Sequence, residues 1–133
     1  MTEAELQQQI ADYLRLQYPN VLFHSDFGSG IKLTMGQAIK QKRQNGGRRA
    51  WPDMFIAEPI KFLNDLDASG LFLELKKEGT RIHKRNGDWA TDHIREQGEL
   101  LEALRRRGYA AEFVVGFDDA KTVIDNYLGG IHE

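Results

Sequence analysis

The chain has 133 residues, 41% apolar and 29% charged, with a formal net charge of −2 and no cysteine. That length suits one domain with a buried core, expected over residues 1–133, and the missing cysteines exclude disulfides, thiolate zinc sites and cysteine nucleophiles. No apolar run approaches the roughly 20 residues of a membrane span, and the acidic opening Met1-Thr2-Glu3-Ala4-Glu5 is no signal peptide, so a cytoplasmic protein without membrane contact is expected.

Thr2 and Glu5 have the spacing of a capping box, which predicts a helix running to about Gln17, before Pro19. Glu3, Gln7, Ile10 and Leu14 share one stripe of that helix. Two polar side chains on an inward stripe are placed to approach a site. Val21 to Phe27 reads as a strand, ended by the loop Gly28-Ser29-Gly30. Residues 34–45 predict a short polar, basic helix with too few apolar residues for a core, stopped by Gly46-Gly47.

Asp53-Met54-Phe55-Ile56-Ala57 follows Pro52 and predicts a second strand, ended by Glu58-Pro59. After a connection over residues 60–69, Gly70 to Lys76 predicts a third strand, paired antiparallel with the second. Its period of two sends Leu71, Leu73 and Leu75 to one face and Phe72, Glu74 and Lys76 to the other. Asn86-Gly87 is a two-residue turn signal and predicts a basic hairpin over residues 82–90 carrying Trp89. Trp89 reads equally as packing or as a base-stacking surface, and Trp51 as packing. Asp92 to Arg107 is the clearest helix, with Gly108 at its end and Gln97 on its apolar stripe of Ile94, Leu101 and Leu104. Tyr109 to Phe117 predicts a fourth strand. Asp118-Asp119 can cap a last helix with Val123, Ile124, Tyr127 and Leu128 on one face. The order is α-β-(α)-β-β-(hairpin)-α-β-α, an α/β fold.

The charge is segregated. Between Ile31 and Pro52 stand Lys32, Lys40, Lys42, Arg43, Arg48 and Arg49 with no acidic residue among them. Lys76, Lys77, Arg81, Lys84 and Arg85 form a second basic group, and Arg105-Arg106-Arg107 a third. Local basic stretches in a near-neutral chain suit a polyanion. Lys40, Lys42, Arg43, Arg48, Arg49, Lys77, Arg81, Lys84 and Arg85 are the candidate nucleic-acid contacts.

Asp53 and Glu74 at the ends of adjacent strands are two hard oxygen donors, the ligands Mg²⁺ prefers. The Leu75 carbonyl lies between Glu74 and Lys76 and can add a third oxygen. Lys76 shares a face with Glu74 and can lie against an attacking water or a phosphate oxygen. A calcium loop beginning at Asp65 fails, because its twelfth position is Lys76 and it would consume Glu74. His83 with Asn86 has poor spacing for a histidine-type nuclease site.

Pro52-Asp53 followed by Glu74-Leu75-Lys76 resembles the PD-(D/E)xK nuclease superfamily. With Glu3 and Gln7 in a first helix, Trp51 before Pro52, and Gln97 in a following helix before Gly108-Tyr109, the pattern is similar to the VRR-NUC group, especially its small stand-alone phage members. The likeness spans nearly the whole chain in order. It implies a restriction-endonuclease-like core: a mixed β-sheet flanked by helices. It implies Mg²⁺ or Mn²⁺ on Asp53 and Glu74, with Glu3 supporting the metal, Lys76 assisting the water, and Gln97 orienting water or touching substrate. It also implies a homodimer cutting branched DNA such as four-way junctions, in a bacterial or phage-infected cell. The alternative is a non-catalytic nucleic-acid-binding or assembly protein on the same fold. The complete Asp53, Glu74 and Lys76 set argues against it, since buried carboxylates repel phosphate.

Overall fold

The computed structural model describes residues 1–26, 33–48, 50–61 and 67–129. The elements run α1 Glu3–Gln17, β1 Phe23–Ser25, α2 Met35–Gln44, β2 Met54–Ile56, β3 Leu71–Lys76, α3 Asp92–Arg105, β4 Ala110–Val115 and α4 Phe117–Leu128. One four-stranded sheet has the order β1-β2-β3-β4. β1 and β2 pair antiparallel, as do β2 and β3, while β3 and β4 pair parallel. The sheet is therefore mixed, and α3 is the crossover that parallel strands require.

The period of two in β3 divides the molecule into layers. Leu71, Leu73 and Leu75 join Leu6, Ile10 and Leu14 of α1 and Ile124 and Leu128 of α4 in the larger core. Phe72 on the opposite face packs with Leu100, Leu101 and Leu104 of α3. Two helices thus cover one face and α3 the other. Tyr13 and Tyr18 of the first helical segment both donate to Asp125 Oδ1, at 2.6 and 2.7 Å, which pins α1 to α4. α2 buries no residue, as its composition predicts.

The Thr2 capping box forms as expected: Thr2 Oγ1 accepts from Glu5 N–H at 3.1 Å. Other boundaries differ from the sequence reading. β1 is only three residues long, because it pairs with a β2 of the same length. Phe27 and the Gly28-Ser29-Gly30 loop lie outside the described residues, as do Arg49, Asp65 and Leu66. α3 stops at Arg105, where Gly108 turns the chain at φ +95°. α4 begins at Phe117 after Gly116, with no side-chain cap. Asp119 instead accepts from the N–H of Val115, at 2.9 Å.

The hairpin over residues 82–90 forms, but not around Asn86-Gly87 as its corner. Gly87 N–H donates to the Lys84 carbonyl at 3.0 Å, so Arg85-Asn86 are central and Gly87 follows at φ +93°. Trp89 stacks on His83, with ring centroids 4.6 Å apart. A Cβ on Gly98 would collide with the Trp89 ring, so α3 receives the indole at its glycine. Trp89 is a packing residue.

Candidate active site

Pro52 leads into the sheet, and Asp53 stands just before β2 begins at Met54. Asp53 does not need its own strand pairing to be fixed. Its Oδ2 accepts from the Leu75 N–H of β3, at 2.8 Å. Its carbonyl accepts from Asp26 N–H at 2.7 Å, one step past the β1–β2 ladder. The carbonyl of Asp26 in turn accepts from Gln7 Nε2 at 3.1 Å. Gln7 is buried on the inward stripe of α1. A helix amide thereby holds one strand end, which holds the next.

Glu74 and Lys76 stand side by side on the α3 face of β3, with 3% and 6% of their surfaces exposed. Lys76 Nζ lies 3.9 Å from Glu74 Oε1. From α3, Gln97 Nε2 donates to the same Glu74 oxygen. The interruption of the α3 apolar stripe is thus explained by a contact to the site. Glu74 Oε2 and Gln97 Oε1 are buried without a hydrogen-bond partner among the described residues. A buried acceptor without a donor costs about 1–3 kcal/mol.

Burial pushes the Glu74 carboxyl up to about 9. Repulsion from Asp53 adds to the rise, Lys76 opposes it, and Glu3 adds a further push. A proton on Glu74 can also be shared with Asp53, which favours the neutral form. These two carboxylates are therefore uncomfortable together without positive charge between them.

Met54 pairs with Leu73, where the β2–β3 ladder ends, and Pro52 precedes it by two residues. Proline has no N–H and cannot donate to the Leu75 carbonyl. The Leu75 N–H that faces the same way is taken by Asp53.

Glu3 sits at the start of α1, half-buried at the rim of the same cleft. Among the described residues no three acidic, histidine or cysteine side chains come close enough to cage a metal ion. Glu3 is near enough to act on the Glu74 carboxyl through its charge.

The cleft has a volume of about 880 Å³, and Glu3, Asp53, Glu74, Lys76 and Gln97 all open onto it. Of the candidate nucleic-acid contacts, Lys42, Arg43 and Arg48 line it. Lys40, Lys77, Arg81, Lys84 and Arg85 are exposed but are not among the residues lining it. Arg105 and Arg107 donate to the carbonyls of Ala111 and Ala103, as a helix-end cluster should. The sequence reading missed Asp26 and the α2 residues Met35 and Ile39, which also face the cleft. Asp26 is found only through the register that sets it beside Asp53. His93, near the start of α3, lines the cleft too.

No protein-family model and no curated protein matches the chain. A solved structure described as a VRR_NUC domain protein does, with a TM-score of 0.65 and 24% identity, over 97% of this chain and 89% of that one. The chain has the fold of a VRR_NUC domain protein. This is the restriction-endonuclease-like α/β architecture that the sequence pattern implied, a mixed sheet between helices. At this identity the likeness concerns the fold, and the chemistry must come from the site. Among the described residues no helix is long and apolar enough to cross a membrane.

Proposed function

We propose that this chain is a divalent-metal-dependent DNA endonuclease. The observation that carries the reading is Glu74: a nearly fully buried carboxylate with an unpartnered oxygen, beside Asp53 and Lys76 in a cleft edged by cations. A protein that only binds DNA gains nothing from such a group. The donor set fits Mg²⁺ or Mn²⁺. Asp53, Glu74 and the Leu75 carbonyl offer hard oxygens, and a cation would offset the burial, and with it the repulsion from Asp53, that raise the Glu74 carboxyl. Bound there, it supplies Lewis acidity toward the phosphate and neutralises developing charge.

The side chains do the remainder. Lys42, Arg43 and Arg48 receive the phosphate backbone. Lys76 lies where the attacking water and a nonbridging phosphate oxygen meet. Gln97 holds Glu74 through one amide group and presents Oε1 as an acceptor for a water proton. In the reaction the water oxygen bonds to phosphorus and one bridging P–O bond breaks. The protons of the water are shared between the leaving oxygen and the new phosphate.

The VRR_NUC-type fold favours selection by DNA shape rather than by base sequence. We infer action on branched DNA, with four-way junctions the first substrate to try, by a homodimer whose two sites cut paired strands. A cleavage panel of linear duplex, flap, splayed arm and four-way junction in Mn²⁺ tests this. Preferred cutting of the junction is expected. No cleavage of any of the four would overturn the enzyme and leave the non-catalytic binding protein. Binding should also fall steeply with salt, by about tenfold or more between 50 and 200 mM, since each phosphate contact releases counterions. A salt-independent affinity would remove the basic residues from the interface.

The chain of bonds from Gln7 to Asp53 makes its own prediction. Gln7→Leu removes the donor to Asp26 without changing the buried volume much. The Mn²⁺ concentration for half-maximal cleavage should rise about tenfold, the usual effect of losing a group that orients a ligand. The far-ultraviolet circular dichroism should stay unchanged. An unaltered metal requirement would show that Asp53 needs no such support.

A further inference from the structure

α2 is complete in itself and yet contributes nothing to the core. Its N-terminus carries a reciprocal capping box, with Thr34 Oγ1 accepting from Gln37 N–H at 3.1 Å and Gln37 Oε1 from Thr34 N–H at 3.0 Å. Its C-terminus ends in Gly46 and Gly47, at φ +68° and +82°, and Trp51 Nε1 donates to the Asn45 carbonyl at 3.0 Å. Of its ten residues none is buried. A helix this short is marginal in water without a covered face. Met35 and Ile39, one turn apart, are 82% and 55% exposed. Both face the cleft that holds Asp53, Glu74 and Lys76.

We propose that Met35 and Ile39 form an apolar seat for unpaired nucleobases, so that this site takes DNA with unstacked nucleotides beside the scissile phosphate. This rests on the nuclease reading and deepens it. Phosphates and sugar oxygens give an apolar side chain nothing. In duplex DNA the faces of the bases are stacked inside. At a branch, gap or fray they become available, and apolar side chains at kinked or unstacked steps make such contacts.

Charge selects the occupant. Residues 33–48 contain Lys40, Lys42, Arg43 and Arg48 and no acidic residue. Lys42, Arg43 and Arg48 border the same cleft as Met35 and Ile39. A second copy of the chain packed across a two-fold axis on this helix would bring those cations against themselves, which disfavours it. It would also cover the cleft. A nucleotide strand satisfies both parts of the surface, its phosphates on the cations and its bases on Met35 and Ile39.

The test uses the full chain in EDTA, so that DNA binds without being cut. Affinity is measured by fluorescence anisotropy for a duplex and for the same duplex with a short single-stranded gap carrying 2-aminopurine. The chain should prefer the gapped DNA, and 2-aminopurine should brighten on binding as it leaves its stack. Combining Met35→Ser with Ile39→Ser should weaken gapped-DNA binding about tenfold, within the range of stacking contributions per base, and leave duplex binding unchanged. Because both side chains are exposed, thermal stability should not move. The seat is overturned if the variant keeps its gap preference, if both DNAs weaken equally, or if 2-aminopurine stays dark. It is likewise overturned if the variant changes from dimer to monomer while its gap preference persists. If the wild-type chain binds neither DNA at low salt, the nuclease reading falls with it.

Discussion

Asp53→Asn and Lys76→Ala are each expected to lower DNA cleavage by about a hundredfold or more, with DNA binding retained. The figure follows from what each side chain supplies. Losing one preorganised charge at a developing oxyanion costs about 10²–10³ in rate. Asp53→Asn keeps an oxygen to accept from Leu75 N–H, so the strand end stays in place while the metal loses an anionic ligand. Asp53→Ala would also orphan that N–H, a further cost of about 1–3 kcal/mol in stability. Binding should survive because the cleft keeps its cations Lys42, Arg43 and Arg48. Removing a carboxylate from beside the phosphate should even tighten it. Undiminished cleavage in both variants would sink the site. Loss of binding in step with loss of cleavage would mean the residues hold DNA rather than act on it.

Glu74→Gln is expected to do two opposite things. Without metal, the variant should be more stable than the wild type at alkaline pH. The Glu74 carboxyl is raised from an ordinary 4.5 to about 9 in the folded chain. Between those values the folded protein keeps a proton that the unfolded chain has lost. Stability therefore falls as pH rises through that window, and levels off above it. Glutamine has no proton to lose and should show a flatter curve. One unit of pKa is worth about 1.4 kcal/mol, so the variant should gain at least roughly 4 °C in Tm at the alkaline end for a domain of this size. With metal the order reverses. Mn²⁺ at about a hundred times its Kd should stabilise the wild type by about 2.7 kcal/mol, and should leave Glu74→Gln nearly unmoved. Thermal melts at several pH values, with and without Mn²⁺, read both effects. Parallel pH curves for the two proteins would show that burial does not strain Glu74. An equal metal shift would show that it is not a ligand.

Much of this site could be read before the structure. Thr2-Glu3-Ala4-Glu5 encodes its helix start locally, because the cap needs only neighbours in sequence. The alternation in Leu71 to Lys76 assigns Glu74 and Lys76 to one face for the same reason. Gln97 was legible as a polar residue on an apolar stripe, and the structure explains it by its bond to Glu74. The hairpin shows the limit of local rules. Asn86-Gly87 marks a turn, but the bond from Gly87 to Lys84 and the Trp89 contact at Gly98 place its corner one residue earlier.

The sequence by itself determined the types and order of the elements, the segregated charge, and the residue types that chemistry at this cleft requires. Those follow from periodicity, capping and composition, which act over a few residues. The tertiary structure alone decided the pairings. That Asp53 accepts from Leu75 and that Gln7 supports Asp53 through Asp26 are both consequences of how the strands come together. Register is a long-range property: shifting it by one residue would send Glu74 and Lys76 into the face of Leu71, Leu73 and Leu75. The burial that lifts the Glu74 carboxyl likewise arises only when α3 closes over β3 and brings Gln97 to it.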